Sequence, residues 1–177
     1  IIGNLIPIKG HPILFRALQK INNNNFICYI IGSGTDDQII YLKTMTKKLN
    51  ISNKVKFLGY VKNPLAILNK CDFLISTSFS EASPRVIQES YHCKKPVVAT
   101  NVGGQTELVI DDITGYLVES NNPRSIKMGI LKMLEKNKRE IKKMGINGYN
   151  FVMENYNFID SVKYVEKKLI GLVENKQ

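Results

Sequence analysis

The chain has 177 residues and a mass of 20.1 kDa, enough for one domain with a substantial core. A hydrophobic content of 44% against 23% charged residues excludes intrinsic disorder, and no apolar run approaches the roughly 20 residues that span a bilayer. The formal charge of +10 comes from 21 lysines and four arginines against 15 acids, without the interleaved arginines and aromatics of a nucleic-acid surface, so no nucleic-acid partner is expected.

The predicted elements alternate along the first 120 or so residues. Ile1–Leu5 reads as a strand and His11–Asn22 as a helix. Phe26–Ile31 is a strand closed by Gly32-Ser33-Gly34, and Asp36–Leu49 is a helix. Lys54–Leu58 is a strand ended by Gly59, Pro64–Asn69 a short helix and Cys71–Ser76 a strand. Helix Pro84–His92 leads to strand Pro96–Thr100, helix Gly103–Ile110 and strand Gly115–Val118. Runs that are apolar throughout mark strands buried on both faces, and strand–helix alternation at this spacing implies a parallel sheet. The expected fold is α/β: a Rossmann-like three-layer α/β/α domain with a parallel six-stranded sheet.

Beyond Asn121 the pattern turns helical. Pro123 opens a helix expected to run to about Met144, with Lys127 to Lys143 as its solvated face; Gly145, Gly148 and Tyr149–Phe158 are expected to interrupt it. A final amphipathic helix is expected over Asp160–Glu174. Asn22–Asn25 is a turn. Cys28, Cys71 and Cys93 are an odd, widely spaced set, read as reduced thiols of a cytoplasmic protein rather than a disulfide or zinc framework. The chain opens inside an apolar run without a methionine, which reads as a piece cut from a longer protein.

In an open parallel sheet, ligands sit outside the carboxyl ends of the strands. That rule selects the loops Ile6–Gly10, Gly32–Thr35, Gly59–Lys62, Thr77–Ser83 and Asn101–Gly104. In the fourth, Ser83 suits an N-cap and Pro84 the first helical position, so Glu81 falls in the loop and Glu89 on the helix. The amides of Arg85 and Val86 would face outward at the helix start, where the dipole favours an anion. Two carboxylates flanking an anion site suit a phosphorylated sugar. Each residue also has a plainer reading: Glu81, Glu89 and Lys9 as solvated charges, the glycines as turns, His11 as a residue that packs or caps the first helix and Tyr60 as a packing or a stacking ring.

Glu81 and Glu89 match the E-x7-E motif of the large retaining glycosyltransferase family of GT-B fold known as glycosyl transferases group 1, GT4-type. Gly3-Asn4-Leu5 with Lys9-Gly10 resembles that family's G-R-L…K-G, and Ile31-Gly32-Ser33-Gly34 its I-G-x-G turn. Phe57-Leu58-Gly59-Tyr60-Val61 resembles F-L-G-x-V. Pro96–Thr100, Gly103-Gly104, Glu107 and Gly115–Val118 resemble P-V-V-A-T…G-G…E…G-x-L-V. The resemblance covers residues 1–120 by motif. It implies the C-terminal half of a two-domain enzyme, with residues 1–155 binding a nucleotide-sugar donor. Residues 156–177 are then a helix packing back toward a missing N-terminal domain.

The resemblance also implies roles. Lys9 would contact the donor diphosphate, with Asn4 standing where the family has an arginine and Arg85 as the candidate replacement. Glu89 would meet the ribose and Glu81 the transferred sugar, which makes Glu81 and Lys9 the catalytic candidates. Tyr60 and Val61 would meet the base, Ser33 and Gly34 the nucleotide edge, and Ser83, Arg85 and Val86 the donor anion. The activity implied is retaining transfer from a UDP-hexose or UDP-N-acetylhexosamine, with GDP left open as the carrier, without an obligatory metal, to a saccharide acceptor in bacterial O-antigen or capsule assembly. The acceptor expected is polyprenyl-diphosphate-linked. The location is then cytoplasmic, with the basic surface against the inner face of the plasma membrane. A nucleotide-binding module without catalysis and a GT-B nucleotide-sugar epimerase remain the alternatives.

Overall fold

In the computed structural model, residues 1–22 and 25–156 are described. A 3-10 turn, Pro7–Lys9, precedes α1 (His11–Gln19). Then follow β1 (Cys28–Ile31), α2 (Asp36–Lys48), β2 (Val55–Gly59), α3 (Pro64–Leu68), β3 (Leu74–Ser76) and α4 (Arg85–His92). The chain continues through β4 (Val97–Thr100), α5 (Gln105–Leu108), β5 (Gly115–Val118), α6 (Pro123–Glu135) and α7 (Lys138–Asn155).

All strand pairs are parallel: β1 with β2, and β3 with β4 with β5. Strand β4 is buried at every position, and its side chains divide between the two faces of the sheet. Val98 joins a core built from Leu14, Phe15 and Leu18 of α1 and Ile126 and Ile130 of α6. Val97 and Ala99 join a second core with Ile87 and Tyr91 of α4 and Val152 of α7. Two apolar layers on one sheet make the α/β/α sandwich, which explains why β3, β4 and β5 carry no polar alternation. Local chemistry agrees with the element starts. Thr35 and Gln38 form a reciprocal capping box on α2, and the Asn122 side chain accepts from the amides of Arg124 and Ser125 on α6.

Several expectations need correction. The described residues form five strands in a pair and a triplet, not one six-stranded sheet. Ile1–Leu5 contributes a single bridge, Ile2 to Ile31, because the backbone leaves the ladder at Gly3 (φ 149°). Its hydrogen bonds nevertheless run on beside β1, from Gly3 N–H to the Ile31 carbonyl (2.9 Å) and from Leu5 N–H to the Ser33 carbonyl (2.7 Å). The helix expected over Pro123 to Met144 is two helices. Asn137 accepts from the amides of Arg139 and Glu140 while Glu140 accepts from the Asn137 amide, a capping box that starts α7. Gly145 and Gly148 do not interrupt α7. They let it close on α4: a Cβ at Gly145 would lie 1.9 Å from the Lys94 carbonyl oxygen, and one at Gly148 2.2 Å from the Tyr91 ring. The helix expected over Asp160–Glu174 lies outside the described residues, as does the rest of 157–177.

A cleft of about 400 Å³ opens between the amino-terminal ends of β1 and β3, lined by Ile2, Cys28, Phe73, Leu74 and Ile130. It lies at the opposite end of the strands from the loops selected by the sequence.

Candidate functional site

The 3-10 turn ends in Gly10, which sits at φ 67° and precedes α1. Glycine is required there twice over. The conformation is left-handed, and a Cβ would stand 2.0 Å from the Thr77 carbonyl oxygen. This close approach presses the Lys9 loop against the loop after β3. The Thr77 hydroxyl donates to the carbonyls of Lys9 (3.0 Å) and Gly10 (3.3 Å), and the Phe79 amide donates to the Ile8 carbonyl (2.7 Å).

With the backbones joined, two side chains 72 residues apart in sequence meet: the Lys9 Nζ stands 2.6 Å from Glu81 Oε2. Both are partly exposed, 25% and 18%, so the pair stands at the rim, not in the core. The Ser78 hydroxyl also donates to Glu81 Oε2, at 3.4 Å. A mobile ammonium and a carboxylate, each open on one side, can be parted by a ligand that offers an anion to one and hydroxyl groups to the other.

Behind this pair lies His11, the first residue of α1, only 2% exposed. Burial first, and then the positive charges of the amino terminus and Lys9, hold its pKa down to about 4. It is therefore neutral at pH 7. Its Nε2 has no hydrogen-bond partner among the described residues, and it packs instead of capping α1.

The start of α4 differs from expectation. Pro84, not Ser83, is the capping position, and the helix begins at Arg85. With φ −78° and ψ 75°, Pro84 is the centre of an inverse γ-turn closed by the Arg85 amide on the Ser83 carbonyl at 2.9 Å. Ser83 therefore makes no side-chain cap, and the Arg85 amide is used internally instead of facing an anion. The Ile87 amide donates to the Pro84 carbonyl, which leaves Val86 as the first-turn amide without a partner among the described residues. The Arg85 and Glu89 side chains make no hydrogen bond or ion pair among the described residues; Arg85 is exposed and Glu89 half-buried. The structure thus unites Lys9 and Glu81 and leaves Glu89 as a separate carboxylate on α4.

The remaining candidates line the same edge of the sheet. Ser33 and Gly34 form the β1–α2 turn beside Asn4, with the Ser33 carbonyl bonded to the Leu5 amide. The Gly32 amide donates to the Gly59 carbonyl (2.9 Å), which ties that turn to the end of β2. Tyr60 follows, 78% exposed, so its ring is not a packing residue; Val61 is half-buried.

Residues 1–151 match the family model described as glycosyl transferases group 1. The chain belongs to that family. An uncharacterized glycosyltransferase of Methanocaldococcus jannaschii is 37% identical over 155 residues, 85% of this chain and 41% of its own length. An N-acetylgalactosamine-N,N'-diacetylbacillosaminyl-diphospho-undecaprenol 4-alpha-N-acetylgalactosaminyltransferase of Campylobacter jejuni is 35% identical over 139 residues, 77% of this chain and 37% of its own length. Among solved structures, HepE of Anabaena in complex with UDP-glucose is 26% identical with a TM-score of 0.87, covering 96% of this chain and 47% of that one. HepE has also been solved with UDP. The chain therefore spans less than half the length of these relatives, and its Rossmann-like fold matches about half of a GT-B glycosyltransferase.

Sequence reasoning missed two members of the site: Thr77 and Ser78. Thr77 and Ser78 lie in a loop that the carboxyl-edge rule had selected, and hydroxyl residues directly after a buried strand were the available signal.

Proposed function

We propose that this chain is the donor-binding half of a retaining glycosyltransferase that takes a sugar from a nucleoside diphosphate, with UDP as the carrier. The observation that carries the reading is the contact between Lys9 and Glu81 at the carboxyl edge of the sheet. On donor binding, Lys9 turns from Glu81 to the diphosphate, and the freed carboxylate accepts hydrogen bonds from the hydroxyl groups of the transferred sugar. Glu89 lies further along, where the ribose hydroxyls reach it. Tyr60, Val61, Ser33 and Gly34 hold the base and nucleotide edge. Support for UDP comes from HepE, whose structures hold UDP and UDP-glucose.

In the reaction, the bond from the anomeric carbon to the diphosphate oxygen breaks and a bond to the acceptor oxygen forms on the same face. The acceptor proton passes to the leaving phosphate. Lys9 and the amide of Val86 stabilise the charge that grows on the departing diphosphate. That charge is met by the protein itself, so transfer needs no obligatory metal. The acceptor we propose is a polyprenyl-diphosphate-linked sugar in bacterial surface-glycan assembly, the acceptor class named for the Campylobacter relative. The lysine-rich surface brings the protein to the anionic face of the membrane that holds such a lipid; among the described residues, no helix is long and apolar enough to cross it. The acceptor is held by a second, N-terminal domain.

Calorimetric titration of this chain with UDP, GDP, ADP and their sugars tests the reading. UDP and one UDP-sugar bind, and the chain alone transfers nothing. Tighter binding of GDP or ADP overturns the base assignment, and transfer by this chain alone overturns the two-domain arrangement.

A further inference from the structure

Behind Glu81 runs a chain of buried polar groups that the reaction does not touch directly. Gln105, at the start of α5, is 0% exposed, as is Thr100 at the end of β4. The Gln105 Nε2 donates to the Thr100 Oγ1 (3.1 Å), and the Thr100 Oγ1 donates to the Ser78 carbonyl (2.6 Å). Ser78 in turn gives its own hydroxyl to the Glu81 carboxylate. The chemistry fixes the direction of this relay. The single proton of the Thr100 hydroxyl is committed to a carbonyl, so its oxygen can only accept from Gln105.

The same turn holds the Glu81 backbone from the other side. The Gly104 amide donates to the Glu81 carbonyl (2.8 Å). A Cβ at Gly103 would lie 2.3 Å from that carbonyl oxygen, and one at Gly104 2.4 Å from the carbonyl oxygen of Ala82. Glu81 is therefore held from two sides, its carboxylate by Ser78 of its own loop and its backbone by the β4–α5 turn. Gln105 carries a cost in this arrangement, because its Oε1 is buried with no partner among the described residues. A leucine would fill the space without that cost, so the amide is accounted for by what its Nε2 does.

We propose that Thr100 and Gln105 are positioning residues for the Glu81 carboxylate, setting where it meets the transferred sugar. The proposal rests on the reading that Glu81 faces that sugar. The test compares the affinity of the chain for UDP with its affinity for UDP-glucose or UDP-N-acetylglucosamine, whichever binds tighter. The ratio isolates the sugar. Thr100→Val keeps the shape and removes the donor. It lowers the affinity for the UDP-sugar about fivefold relative to UDP, the worth of one neutral hydrogen bond. Thr100→Ser restores the ratio, and Gln105→Leu, which serves if the valine variant does not fold, lowers it in the same direction. In a Glu81→Gln background, Thr100→Val has no further effect on the ratio.

Equal losses for UDP and UDP-sugar, the same loss in the Glu81→Gln background, or failure of serine to restore the ratio each overturns the proposal. If Glu81→Gln itself leaves the ratio unchanged, the reading of Glu81 as the sugar ligand fails instead. The carboxyl ¹³C resonance of Glu81, assigned by its disappearance in Glu81→Gln, then decides on positioning alone: it moves in Thr100→Val and returns in Thr100→Ser, and a resonance that stays in place overturns the proposal.

Discussion

The corner around Lys9 and Glu81 and the tip around Gly59 and Tyr60 lie on the same edge of the sheet but are built in opposite ways. The corner is interlocked. Two loops share hydrogen bonds from Thr77 and Phe79, glycines at 10, 103 and 104 touch carbonyl oxygens across the gap, and the charged pair closes the top. The tip is open. A Cβ at Gly59 would meet nothing within 4 Å, and Tyr60 stands 78% exposed. The difference fits the two ends of a nucleotide sugar. The diphosphate and sugar need charges and hydroxyl acceptors at fixed positions before chemistry, whereas a base presents a flat face that one exposed ring can cover.

The largest expected effect breaks the corner. Gly10→Ala pays the left-handed backbone cost of about 1–2 kcal/mol and adds a clash with the Thr77 carbonyl worth about 1–3 kcal/mol more. Denaturant unfolding should register a loss of about 2–5 kcal/mol, with loss of UDP binding; a stable, UDP-competent alanine variant would mean that the corner yields.

Next in size is Lys9→Ala. A charge-assisted hydrogen bond of about 1.5–3 kcal/mol predicts a ten- to hundredfold loss of affinity for UDP and little change for uridine. Equal losses for both ligands in titration would make Lys9 a fold residue and remove the distinction between the two ends. The smallest effect sharpens the tip. Tyr60→Ala should leave unfolding within about 0.5 kcal/mol of the parent chain. Uridine affinity should fall by about 1 kcal/mol, the low end of base stacking on an aromatic ring. A stability loss above that bound would show the ring packing after all.

Much of this architecture was legible in the sequence, for physical reasons that also mark where legibility ended. β3, β4 and β5 were found because strands covered on both faces are apolar runs; β1 and β3 were overcalled at their first residues, Phe26–Ile27 and Cys71–Phe73, because the chain leads into the ladder before pairing begins. The division of α6 from α7 was missed although Asn137 and Glu140 have capping-box spacing, because the lysine-rich periodicity runs through it. At the site, the residue types of Lys9, Glu81 and Glu89 were legible from motif spacing. The 2.6 Å contact was not, because it joins two loops through tertiary packing. The internal use of the Arg85 amide was not legible either: Pro84 fits both a first helical residue and the centre of a γ-turn, and ψ decides between them.

The seating of α7 on α4 has a consequence for how this sequence can drift. Most of the described lysines are exposed, where substitution changes stability little. Gly145 and Gly148 are different: a single added carbon at either meets the Lys94 carbonyl or the Tyr91 ring, and Tyr91 is pinned from beneath by its hydroxyl on Thr114 at 2.9 Å. The helix that bears Glu89 therefore has its far end in a vice with no slack. Two positions remote from any ligand are barred to every residue but glycine unless α7 itself is allowed to lift away.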